Sequence, residues 1–305
     1  MRTASTLNSS VYRALGLPIA QSSVTEVLHT LSNGYVFRGQ GQCYVYWWVD
    51  GIHAGLRSEN SDGQCLLVII GVKPDGSKER VAIGDGYRET KASWLELLLD
   101  LKARGLQAGP RLAVGDGAMG FWAALEDAFP ATQGQRCWFH YADVGISSTK
   151  WAMCSMLCRS RNRLARRPNM QAIWMAATRA EAHTAFDRFV SINGAKYPKV
   201  TETLKNDRES LLALYDYPVE NWQHLRTTNA IESTFATVRH RTARTRNCVS
   251  RPTFLGLAFK LIEEAEKTWR RINGPEKIKL LLDGIAFKDG EPVQDDQPVQ
   301  QKLAA

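Results

Sequence analysis

Apolar and polar positions change rhythm several times along the chain, and each rhythm predicts an element. Residues 1–40 are polar and weakly patterned, with one short helical stretch near Val24–Leu31. From Tyr44 the pattern sharpens. Tyr44–Val49 is aromatic and β-branched and runs into Asp50-Gly51, which predicts a strand ending in a turn. Ile52–Arg57 predicts a short second strand, and the unbroken apolar run Cys65–Gly71 a buried central one. Turn residues fill Lys73–Ser77, after which Val81–Ile83 extends the sheet. Lys91–Arg104 carries Trp94, Leu95, Leu97, Leu98 and Leu101 on one broad face and meets Gly105, the pattern of a helix with a glycine stop. Arg111–Gly115 predicts a strand, Ala118–Phe129 a helix closing before Pro130, and Arg136–His140 a fifth short strand. Beyond it the rhythm is helical, over Met170–Asn193, Val200–Tyr215, Ala230–Arg241 and Pro252–Arg271. The tail from Gly290 is polar, with the composition of a disordered end.

The order is three strands, helix, strand, helix, strand, a helical block, then more helices. This is the layout of a ribonuclease-H-like α/β core, with a helical insertion between the fifth strand and the next core helix. The expected organisation is an atypical N-terminal region over 1–42 and the first part of the core over 43–140. The insertion follows over 141–225, then the remaining core helices over 226–289 and a polar tail over 290–305.

Composition narrows the picture a little. A chain of 305 residues accommodates one large domain or two ordinary ones. No apolar run approaches the ~20 residues of a membrane helix, and the first residues lack the apolar core of a secretory signal. Six scattered cysteines form no disulfide framework and fit a reducing, cytoplasmic setting. Lys and Arg total 39 against 31 Asp and Glu, a net charge of +8 that permits a polyanionic partner without requiring one.

The candidate chemistry lies at the strand ends. Asp50 follows one apolar strand and Asp116 another. The carboxyl ends of neighbouring strands in an open sheet share one edge, where ligands bind. Two carboxylates converging there repel each other, and a divalent cation relieves that repulsion through hard oxygen ligands. Glu232 is placed to be a third, in Thr227-Thr228-Asn229-Ala230-Ile231-Glu232-Ser233, with Asn229 the expected N-cap. Such a triad suits phosphoryl transfer, in which two ions hold the attacking and leaving oxygens. Taken singly, each residue has a plainer reading. Asp-Gly after a strand is ordinarily a turn, as Gly84-Asp85-Gly86 illustrates, and an acid in a first helical turn ordinarily complements the dipole.

The segments Tyr44–Arg57, Gln64–Glu79, Asp85–Leu106, Leu112–Pro130 and Gln135–His140, with Trp174–Phe189, Ala195–Arg251 and Phe259–Ile278, resemble the Mutator-like transposases of bacterial insertion sequences, in register and in order. The resemblance covers about residues 43–140 and 170–290. It implies a ribonuclease-H-like core whose Asp-Asp-Glu triad falls on Asp50, Asp116 and Glu232. It also implies Mg2+ or Mn2+ as cofactor, and DNA as partner at terminal inverted repeats and at the target. The active form would be a homo-oligomer, cytoplasmic and nucleoid-associated when bound to DNA. The family's Cys-x-x-His signature falls on Cys137 and His140. A structural zinc site would need four ligands, drawing in Cys154 and Cys158; packing for Cys137 and a place near the carboxylates for His140 are the expected roles. Arg239, His240, Arg241, Arg244, Arg246 and Arg251 form a basic run just after Glu232, expected to contact phosphates. Trp122, Trp138 and Trp222 are expected in the core.

Two stretches depart from the family pattern. Residues 1–42 lack the helical DNA-binding region that usually precedes the first catalytic strand. Residues 141–169 lack the family helix. One permitted codon set for Met153–Arg163, read from its third base, spells Val-Leu-Asn-Ala-Leu-Pro-Lys-Ser-Gln-Gln, which resembles that helix. About residues 150–169 are therefore expected to be translated out of frame, a divergent insertion being the alternative and the gene sequence the arbiter. The functional alternative to an active transposase is a catalytically defective remnant that still binds DNA.

Overall fold

A computed structural model describes residues 43–53, 64–117, 120–138, 170–244 and 251–293. The apolar run of the sequence forms β2 (Gln64–Val72), flanked by β1 (Tyr46–His53) and β3 (Lys78–Tyr87). Helix α1 (Lys91–Ala103) leads to β4 (Leu112–Gly115), and α2 (Phe121–Ala128) leads to β5 (Gln133–Arg136). The five strands lie in the order β3-β2-β1-β4-β5. The β3-β2 and β2-β1 pairs are antiparallel, while β1-β4 and β4-β5 are parallel. The protein is thus mixed α/β around a mixed sheet.

Both faces of the sheet are covered. Trp47, Val49, Leu67, Ile69 and Ala113 face α1 and α2, where Trp94 meets Phe121 edge-on at 5.1 Å between ring centroids. Tyr46, Trp48, Ile52, Leu66, Val68, Ile70, Leu112 and Val114 face the C-terminal half of the chain. Each strand alternates its side chains between these two layers.

Two strand boundaries differ from those the sequence predicts. Asp50-Gly51 is no turn: β1 continues through it to His53, with Asp50 opposite Val68 and Gly51 opposite Leu67. Pairing along the whole of β2 overrides the local turn preference. Gly51 is also a point of close approach, since a Cβ there would lie 2.5 Å from Glu89 Oε1 and 2.6 Å from Cys65 Sγ. The separate strand expected at Ile52 is therefore part of β1, and residues 54–63 lie outside those described. The fifth strand is Gln133–Arg136, ahead of the expected Arg136–His140. Its Gln-Gly-Gln-Arg sequence is polar, and the buried Gln135 side chain is satisfied by donating to Leu211 O at 3.0 Å and accepting from Leu214 N at 2.8 Å.

Helices follow. Residues 170–174 are helical, then come α3 (Arg179–Asn193), α4 (Pro198–Asn206), α5 (Arg208–Leu212) and the short α6 (Trp222–Leu225). The continuous helix expected over Met170–Asn193 is broken by an N-cap: Thr178 Oγ1 accepts from Glu181 N at 3.2 Å, and Glu181 Oε2 accepts from Ala177 N, just before the cap, at 3.1 Å. That expected over Val200–Tyr215 divides at Asp207 and ends in a 3-10 turn, Ala213–Asp216. Helices α7 (Asn229–Arg244), α8 (Arg251–Glu266) and α9 (Pro275–Leu282) complete the layer. Helix α8 stops short of the expected Arg271.

The chain from Gly290 also departs from expectation. Strands β6 (Phe287–Lys288) and β7 (Glu291–Pro292) form a hairpin whose Asp289 and Gly290 both have positive φ, 52° and 87°. Gly290 O accepts from Val219 N at 3.1 Å, so the turn docks beside α6. The expected N-terminal helix near Val24–Leu31, the stretch 141–169 and residues 294–305 lie outside the described residues.

Candidate active site

Register places the two aspartates together. Parallel pairing of β1 with β4 sets Tyr46 beside Leu112, Trp47 beside Ala113 and Trp48 beside Val114. Carried two residues on, the same register puts Asp50 level with Asp116. By alternation both belong to the face of Trp48 and Val114, which the C-terminal helices cover. Both are half-buried. Asp50 Oδ1 accepts from Gly51 N at 2.8 Å, and Asp116 Oδ1 accepts from Gly117 N.

The loop carrying Asp116 is gripped from two sides. Trp122 Nε1 donates to Asp116 O at 2.7 Å. Arg136 Nη1 lies 3.4 Å from Asp116 O and 3.3 Å from Gly117 O. The Arg136 guanidinium stacks over Trp122, 4.5 Å from the ring centroid. Burial lowers the Arg136 pKa, against the raising pull of Asp207 and Asp116; a guanidinium nevertheless stays charged.

Glu232 arrives on α7. Ile231, Phe235 and Val238 of that helix join the core cluster of Trp48, Val68 and Val114, so α7 packs on the face that Asp50 and Asp116 share. Glu232 is half-buried, and the Thr228 hydroxyl donates to its Oε1 at 2.5 Å. Thr228 O accepts from Ile231 N and Glu232 N at 2.9 and 3.0 Å. Thr228, one residue before the expected Asn229, therefore caps the helix, and Glu232 keeps its place in the first turn.

The residues after β5 tie this helix start to the sheet. Cys137 N donates to Gly115 O at 2.9 Å, beside Asp116, while Cys137 Sγ accepts from Thr228 N at 3.3 Å. Trp138 N donates to Arg226 O at 2.9 Å and Trp138 Nε1 to Leu211 O at 2.8 Å. On β1, Trp48 Nε1 donates to His224 O at 3.0 Å. Sequence patterning gave no notice of Arg136 or of the meeting of Cys137 with Thr228, whose partners lie 19 to 91 residues away in the chain.

Three acids crowd the same end of the sheet. Burial, then Glu89, Asp50 and Asp85, push the Cys65 thiol well above its usual pKa. Asp85 sits within β3 opposite Leu66, and no Gly-Asp-Gly turn forms there. Among the described residues no three His, Cys, Asp or Glu side chains are gathered into a metal cage. Asp50 and Asp116 lie just past the β1–β4 pairing and Glu232 stands on α7, and each carboxylate accepts from a local donor. As a donor set they offer hard carboxylate oxygens, which suits Mg2+ or Mn2+.

The sequence model of the family described as "Transposase, Mutator family" matches residues 10–271. The chain belongs to the Mutator family of transposases. The transposase of insertion sequence element IST2 from Acidithiobacillus ferrooxidans is 54% identical over 241 residues, covering 79% of this chain and 78% of that one. The transposase of IS6120 from Mycolicibacterium smegmatis is 47% identical over 248 residues, covering 81% and 73%. Among solved structures, the Drosophila P element transposase strand transfer complex matches over 95% of this chain and 84% of that one. Its identity is 13% and its TM-score 0.28, too loose to bear on the fold.

In this transposase the basic run begins on α7. Arg239 and His240 are exposed and Arg241 is half-buried. Arg239 stands seven residues beyond Glu232 on the same helix face, roughly 10 Å along the axis. Arg244 ends α7 and Arg251 opens α8, while Arg246 and His140 lie outside the described residues. Cys137 is buried and free, and Cys154 and Cys158 of the zinc alternative lie outside the described residues. Trp138 and Trp222 are core residues, whereas Trp122 is half-buried beside Asp116. Among the described residues no helix is long and apolar enough to cross a membrane.

Proposed function

We propose that this transposase cuts and joins DNA with Asp50, Asp116 and Glu232 as a metal-binding triad on a ribonuclease-H-like core, the helices between β5 and α7 being an insertion. The observation that carries the reading is the parallel pairing of β1 with β4, which ends two residues short of Asp50 and Asp116, with α7 packed on the face of Trp48 and Val114. Two Mg2+ or Mn2+ ions, when bound, supply Lewis-acid stabilisation of the attacking and leaving oxygens. The carboxylates of Asp50, Asp116 and Glu232 would hold such ions, whose charge would offset their mutual repulsion. Water attacks the scissile phosphorus at the element end and releases a 3′-hydroxyl. That hydroxyl then attacks a target phosphodiester, forming one P–O bond as another breaks.

The basic run supplies phosphate contacts. Arg239, His240 and Arg241 extend from the site along α7, and Arg244, Arg246 and Arg251 continue the run toward α8. Binding through them is salt-sensitive and carries little sequence information. Terminal inverted repeats and target DNA are the partners, a homo-oligomer is the working form, and the cytoplasm is the setting.

The test is Glu232→Gln in the full chain, with Mg2+ and duplex carrying the element end. The swap keeps shape and removes a negative oxygen ligand, so cleavage falls by at least about 10²-fold while DNA binding persists. Undiminished cleavage would reject Glu232 as a ligand. A parent that binds this DNA without cutting it would mark a catalytically defective remnant.

A further inference from the structure

We infer that Cys137 is a positioning residue for Glu232, acting through Thr228. The inference rests on the metal-ligand reading of Glu232 and adds how that carboxylate is aimed. Among the described residues, the single-proton Thr228 hydroxyl meets Glu232 Oε1 at 2.5 Å and Cys137 Sγ at 3.4 Å. The short contact to a carboxylate takes the proton, because a charge-assisted hydrogen bond is about twice as strong as a neutral one. The thiol, itself a weak donor, is then oriented toward Thr228 Oγ1. A three-member relay results, from Cys137 S–H to Thr228 O–H to Glu232 Oε1, closed by Thr228 N donating to the sulfur at 3.3 Å.

Both supports of the relay are fixed. Cys137 is 1% exposed and Thr228 is fully buried. Cys137 is anchored through its own N–H to Gly115 O, next to Asp116. Thr228 is anchored by capping α7. The relay therefore references the Glu232 carboxylate to the strand end that carries Asp116, over a separation of 91 residues between Cys137 and Thr228. Packing alone would call for a small apolar side chain at residue 137. The relay calls for a donor there and a hydroxyl at residue 228.

The test measures Mn2+ affinity of the full chain from the electron paramagnetic resonance of free Mn2+, beside the Mg2+ dependence of cleavage and the Tm. The variants are Cys137→Ala, Cys137→Ser, Thr228→Val, Thr228→Ser and Glu232→Gln. Loss of an outer partner of a metal ligand costs about 10- to 100-fold in affinity. Cys137→Ala and Thr228→Val should weaken Mn2+ by about the lower figure and raise the Mg2+ needed for half-maximal cleavage in step. At each position the serine variant, which keeps a hydroxyl donor, should bind more tightly than its alanine or valine counterpart. Parental Mn2+ affinity in Cys137→Ala, with only a lower Tm, would overturn the relay, as would a serine variant no better than alanine. Glu232→Gln separates the two levels. Weakened Mn2+ binding in that variant upholds the ligand reading whatever Cys137 does, and parental binding overturns both.

Discussion

The two aspartates of the proposed site and its glutamate are held by different means. Asp50 lies within the eight residues of β1, paired along its length with β2 and partly with β4. Asp116 follows β4 directly. The backbone ladder fixes Asp50, and Asp116 follows the ladder's last residue, with its loop held by Trp122 and Arg136. Glu232 stands on a helix that packs on the sheet through Ile231, Phe235 and Val238, and the chain leading into it is tied by particular side chains: Trp138 to Leu211, Trp48 to His224, Thr228 to Cys137. The sheet half of the site is built by backbone periodicity and the helix half by particular side chains. The helix half is therefore the half that single substitutions can displace.

Trp138→Ala is the strongest way to break that contrast. Its indole is buried and bonded to Leu211 O. Truncation of such a side chain costs about 3–5 kcal/mol. Hydrogen exchange should show faster opening of residues 211–232 than of β2 and α1. Equal loss of protection in both halves would show one cooperative unit and cancel the distinction.

Arg136→Met asks whether the sheet half also leans on a side chain. It removes the donors to Asp116 O and Gly117 O and the charge stacked on Trp122 while leaving much of the apolar contact. A displaced catalytic group costs up to about 10²-fold, so cleavage should fall by roughly 10- to 100-fold with DNA binding little changed. Parental cleavage would show that the β4 ladder alone places Asp116.

The smallest effect is a pH dependence in the helix half. Burial, followed by the charge of Lys78, lowers the pKa of His224, and the Asn273 contact opposes them. The unfolded chain therefore takes up this proton first as pH falls below about 6.5. The stability present above that pH is lost progressively through the depressed folded value. His224→Gln should flatten the fall in Tm between about pH 6.5 and 5. An unchanged slope would assign the acid sensitivity to other groups.

Legibility in the sequence follows the same division. The strands β1, β2 and β4 and the helix α1 bury apolar side chains in runs or at helical spacing, and their positions were readable from those patterns. The two aspartates were readable with them, although β1 runs on past Asp50 because pairing with β2 outweighs the Asp-Gly turn preference. The sequence pattern predicts β5 too late in the chain because Gln133-Gly134-Gln135-Arg136 has no apolar alternation; its burial depends on Gln135 meeting Leu211 and Leu214. The break before α3 was encoded locally, in Thr178 and Glu181, and was hidden by the helical rhythm on either side. For Glu232 the first-turn position was legible and the tether was not. A cysteine before a helical block carries no sign that its sulfur will meet Thr228.

The central claim is that Asp50, Asp116 and Glu232 converge on shared metal ions. Crystals of the protein soaked in Mn2+, with anomalous scattering recorded at the manganese edge, test it directly. The account predicts anomalous density between the carboxylates of Asp50 and Asp116, with Glu232 oxygen at ligand distance and any second ion about 3.5–4 Å away. Manganese bound by the two aspartates with Glu232 turned away, or bound elsewhere on the sheet end at Asp85 and Glu89, would contradict it.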